Sequence, residues 1–95
     1  MIPIKLCTEY GRTQFKILHD SLNFYRENHG HESVKRFRDR CKADYKDQCN
    51  FLSEWLENKD NPHYKMHEDD VEGFRIFNEM SDVCSCLKFF GGVLN

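Results

Sequence analysis

No apolar run in these 95 residues approaches the eighteen or so that a membrane-spanning helix requires, and neither end carries a lipidation signature. A membrane role is therefore not expected. The basic excess of a dedicated DNA-binding domain is also missing, because the formal net charge is -2. There is no glycine-rich phosphate loop. Gly91-Gly92 has no helix after it and reads as a helix cap or chain exit. The zinc-protease pattern fails because Tyr64, not Glu, follows His63, and the acidic run near residue 70 lacks the spaced carboxylates and central glycine of a calcium loop. No repeats, low-complexity stretches or interdomain linkers occur.

What is present fits one small folded unit spanning residues 1–95. Size scaling gives a folded surface of roughly 5,800 Å² against roughly 16,500 Å² unfolded, enough burial for one core and too little chain for a doubly wound sheet or barrel. Hydrophobic residues make up 39% and charged residues 32%, a globular rather than a disordered composition. Five cysteines form an odd set, and no basic-then-apolar leader precedes them, so free thiols and a cytoplasmic location are expected.

Periodicity points to a mainly α fold, a three-helix domain with an extended N-terminal arm or edge strand. Ile2, Ile4 and Leu6 alternate with Pro3 and Lys5, the period of a half-buried strand, which would pair with residues 91–94, pack on helices or pair with another copy. Phe15, Leu18, Leu22 and Tyr25 mark a first helix over 12–28, capped by Thr8 or Thr13 and ended at Gly30. Val34, Phe37, Cys41, Tyr45, Cys49, Leu52, Trp55 and Leu56 mark a longer one over 34–58, with Ser33 as N-cap. Such a helix runs roughly 37 Å, beyond the ~25 Å diameter of a compact domain of this size. Phe51, Trp55 and Leu56 at its far end are therefore the candidate homodimer patch. Asn61-Pro62 reads as the start of a short helical turn, and Asp69 with Glu72 as a capping box for a third helix, marked by Val71, Phe74, Phe77, Met80, Cys84 and Leu87 and stopped at Gly91-Gly92.

Charge is divided along the chain. Residues 1–48 hold ten bases and seven acids, a balance of +3, and residues 49–95 hold four bases and nine acids, a balance of -5. The densest basic cluster is Lys35, Arg36, Arg38, Arg40 and Lys42, with Lys35, Arg38, Lys42 and Lys46 on one helical stripe. It suits an acidic protein surface or a nucleic-acid backbone. The same run contains Glu32–Arg36, Lys35–Asp39 and Arg40–Asp44 at i,i+4, the pattern of a solvated helix face. Glu68, Asp69, Asp70 and Glu72 form an acidic counterpart, able to act as a decoy surface or to stabilise a helix start.

Two further chemistries are open to the side chains themselves. His63 and His67 have the spacing of two zinc ligands, with Cys84 and Cys86 as the obvious completing pair, although Cys-x-Cys is shorter than usual; His29 and His31 could add to it. Cys84 and Cys86 are also the thiols to test for reactivity, whereas Cys41 and Cys49 lie on an apolar stripe. No motif fixes a reaction or a cofactor. The sequence therefore reads as a non-enzymatic interaction protein that binds a macromolecular partner through charged helix faces, in the manner of virus- or phage-encoded inhibitors of host or defence complexes. The alternatives are a nucleic-acid-associated regulator and a small zinc-binding module.

Overall fold

The computed structural model describes residues 2–93, and within them the chain forms three helices and no strand. α1 spans Glu9–Asn28, α2 spans His31–Glu57 and α3 spans Val71–Gly91. The mainly α, three-helix expectation holds. At 27 residues α2 is about 40 Å long. It sets the long dimension of a molecule measuring 47 × 25 × 21 Å.

Helix ends follow local chemistry more closely than apolar periodicity does. α1 starts three residues before its first expected position because Thr8 caps it, its hydroxyl accepting from the Gly11 amide at 2.9 Å. α2 also starts early. Gly30, at φ 82°, occupies the N-cap position, so one residue of positive φ closes α1 and opens α2. Ser33 does not cap; its hydroxyl accepts from Arg36 inside the first turn. α3 is capped by Asp70 rather than Asp69, the carboxylate accepting from the Gly73 amide at 3.0 Å. Glu72 turns to Arg75 instead of reaching back, so no capping box forms. Gly92, in the left-handed region, ends α3.

Asn61-Pro62 begins a hydrogen-bonded turn over 62–65, the Tyr64 amide donating to the Asn61 carbonyl at 2.9 Å. Asn61 accepts from the His63 amide at 3.1 Å and donates to the Trp55 carbonyl at 2.8 Å, which folds residues 58–70 into turns lying against the end of α2. Ahead of α1, Ile2, Ile4 and Leu6 are half-buried against the core without strand pairing. A partner strand over 91–94 is not formed among the described residues: Gly91 belongs to α3, and Leu94 lies outside them.

The buried apolar set among the described residues is small, comprising Phe15, Leu22, Cys41, Cys86 and Phe90. Aromatic rings extend it, with Phe15 and Phe90 centred 4.9 Å apart and Phe37 edge-on to Phe90 at 6.3 Å. One buried carboxylate ties the arm to the bundle. Asp82 of α3, 2% exposed, accepts from the Cys7 amide at 2.9 Å, the Thr8 amide at 2.8 Å and the Thr8 hydroxyl. It thereby places negative charge at the positive end of α1. Gly11 makes room for it, since a Cβ there would overlap the Asp82 side chain.

Candidate functional site

At about 100° per residue, α1 sorts its side chains into strips. Phe15, Leu18 and Leu22 face the core, and Arg12, Lys16, His19 and Arg26 fall within an adjoining strip about 80° wide. That basic strip forms one wall of a cleft of about 1000 Å³. Arg38 of α2, Phe89 and Phe90 of α3, and Ile2 and Pro3 of the arm complete the lining. The floor is aromatic. Phe15 lies 5.5 Å from Phe89 and 4.9 Å from Phe90, and Phe89 remains 42% exposed to the opening.

The electrostatics of the cleft are one-sided. Arg12, Lys16, Arg26 and Arg38 make no ion pair among the described residues, and Glu9 is the one acidic residue in the lining. Four uncompensated cations beside exposed aromatic surface attract an anion that also carries apolar groups. Charge density along the chain does not reveal this site, because three of the four cations stand alone in sequence. A helical projection of α1 would have found them.

The expected basic cluster is divided by the helix that carries it. Lys35, Arg38, Lys42 and Lys46 share a stripe, whereas Arg36 and Arg40 project more than 100° away from its centre. Lys35 pairs with Asp39 at 3.7 Å, Arg40 pairs with Asp44 at 3.2 Å and Arg36 reaches Ser33. Of the six residues, Arg38 alone lines the cleft. The acidic cluster divides as well. Asp70 and Glu72 serve the start of α3, with Asp70 bonded to the His63 ring at 2.8 Å and Glu72 held by Arg75, while Glu68 and Asp69 are exposed. These bonds hold the Asp70 and Glu72 carboxyls below their ordinary range, through His63 and Arg75 respectively.

Phe51, Trp55 and Leu56 have different neighbours, and Phe51 and Leu56 are exposed. Trp55 stacks on His63 at 6.0 Å, Phe51 lies beside Leu87, and Leu56 faces a separate pocket with Cys49 and Leu52. The zinc constellation is likewise dispersed. His63 is engaged by Asp70, and Cys86 is buried with its thiol 3.6 Å from the Gly11 carbonyl. Cys84 lies beside Cys49 instead. His29 packs against Phe24 and Tyr25. Among the described residues no three His, Cys, Asp or Glu side chains converge as metal ligands. Burial pushes the Cys84 and Cys86 thiols up to about 11 and raises Cys41 as well, so all three are protonated near neutral pH.

No protein-family model, curated protein or solved structure matches the chain. Among the described residues no helix is long and apolar enough to cross a membrane.

Proposed function

We propose that this chain is a non-enzymatic binding domain that captures an acidic segment of a protein partner in the α1 cleft. The observation that carries this reading is the set Arg12, Lys16, Arg26 and Arg38, uncompensated around the Phe15–Phe89–Phe90 floor. Carboxylates of the partner meet the guanidiniums, and an apolar side chain between them covers Phe89. Such a domain regulates by occupying an acidic surface, the mode of action expected of a small inhibitor, including virus- or phage-encoded antagonists of host or defence complexes. Burial of the Cys41 and Cys86 thiols in the core supports binding over nucleophilic chemistry at those positions.

Nucleic acid is the second reading, since cations beside an exposed ring also suit a single strand with stacked bases. Two features favour protein. Only Phe89 of the three floor rings is open for stacking, and Lys35 and Arg40 of α2 are engaged by Asp39 and Asp44. A labelled peptide rich in Asp and Glu with a central Leu or Phe separates the readings when compared with a basic peptide and an oligonucleotide. The acidic peptide should bind best, and affinity should fall at least tenfold in an Arg12→Glu/Arg38→Glu variant of unchanged helicity. Equal binding by that folded variant, or a preference for the oligonucleotide, overturns the proposal.

A further inference from the structure

Of the five cysteines, Cys41 and Cys86 are buried in the core and Cys7 is exposed on the arm, whereas Cys49 and Cys84 are half-buried and occur together. Cys49 belongs to α2 and Cys84 to α3, and both line one open pocket of about 390 Å³ with Tyr45, Leu52 and Lys88. The two thiols are close enough that Cys49 contributes to the upward shift of Cys84. Sequence spacing alone hides the pair, because 34 residues separate the two positions. An apolar stripe on α2 and the last turns of α3 bring them side by side.

We propose that Cys49 and Cys84 form a redox-modification site, closing to a reversible disulfide between α2 and α3 when a peroxide enters the pocket. Both thiols line the open pocket, and Cys49 attacks first. The Cys49 thiolate attacks one peroxide oxygen, the O–O bond breaks, and a sulfenic acid and hydroxide result. The Cys84 sulfur then displaces the sulfenic oxygen, and the Cys84 proton leaves with it as water. Overall, two thiols and one hydrogen peroxide give one disulfide and two waters. A small thiol such as glutathione or dithiothreitol supplies the two electrons for the reverse step.

The consequence is a covalent link between the two helices that form the long body of the molecule. A loop of this length, closed in the unfolded chain, should raise the melting temperature by on the order of 10 °C.

The test uses the full chain carrying Cys7→Ser, which removes the exposed thiol able to link two molecules. Folded protein is titrated with hydrogen peroxide and digested without reduction. Mass spectrometry should show the loss of two hydrogens and a Cys49–Cys84 cross-linked peptide, and melting should shift upward until dithiothreitol is added. Cys49→Ser and Cys84→Ser should each abolish link and shift together. The proposal is overturned if both thiols stay reduced, if they pass to sulfinic acid unlinked, or if the cross-link forms only in urea-unfolded protein.

Discussion

Asp82 is the residue on which the arm, α1 and α3 converge. Three donors from Cys7 and Thr8 surround its carboxylate at 2% exposure, so removing it strands two part-buried amides as well as losing charge-assisted bonds. Asp82→Ala should cost about 3 kcal/mol, read as a fall in the denaturation midpoint with unchanged slope. Gly11→Ala should cost ~1–3 kcal/mol by a different route, because its methyl overlaps the Asp82 Cβ and carboxylate and forces α1 away from α3. A melting temperature unaltered by either substitution would contradict this account. Asp70 adds a pH dependence of determinate sign. His63 first, and then the Gly73 amide, hold its folded carboxyl below the ordinary 3.8, so its contribution is fully present above that value and is lost as pH falls through the folded one. The groups facing it are His63 and His67, both cationic when protonated, and the Gly73 amide. Melting of the wild type should converge on that of Asp70→Ala as pH drops from 5 towards about 2, whereas a constant difference across that window would assign the cap no ionic part.

At the scale of the element, apolar spacing identifies three helices and the core faces of α1 and α2, where Phe15, Leu22 and Cys41 are buried, but not that of α3, whose buried apolar residues are Cys86 and Phe90 while Val71 and Phe74 of the expected stripe are exposed. It places their starts less well. Thr8 and Gly30 act through one side-chain bond and one positive φ, signals a residue wide that a run of apolar positions cannot register. The same limit explains the candidate site. Counting bases along the chain favours the contiguous Lys35–Lys42 run, yet Asp39 and Asp44 stand one turn beyond Lys35 and Arg40 and engage them. Arg12, Lys16 and Arg26 are sparse in sequence and make no ion pair among the described residues, Asp20, one turn beyond Lys16, lying against His19 at 3.8 Å instead, and α1 brings them to one edge. Arg38 belongs to the basic stripe of α2 and reaches the cleft from that second helix. The Cys49–Cys84 pair depends on how α2 and α3 lie together, which no spacing within either helix encodes.

The whole molecule is more extended than its length requires. Its radius of gyration of 15.2 Å exceeds the ~12.4 Å of a compact chain of this size, and its 6990 Å² of accessible surface exceeds the roughly 5,800 Å² expected. Part of the excess is apolar, with Ile17, Phe24, Phe51 and Val71 more than half exposed, which is the kind of surface a binding protein presents. Charge follows the long axis. Trp55 stacks on His63, and Gly91 lies against the Lys42 backbone, so the end of α2 and the start of α3 share one pole, remote from Phe89 and Phe90. Residues 54–79 at that pole contain eight acids and three bases, whereas the cleft at the other is lined by four cations and one acid. An acidic partner is consequently drawn to one end and repelled by the other, which orients it before contact. Reversing charge at exposed Glu68 and Asp69, both distant from the cleft, should therefore raise the association rate of an acidic peptide severalfold at low salt and leave its dissociation rate unchanged. Near 1 M salt, where screening acts over about 3 Å, the gain should vanish. Stopped-flow binding across that salt range decides the matter, because an association rate unaltered at low salt would mean that the two poles act independently of one another.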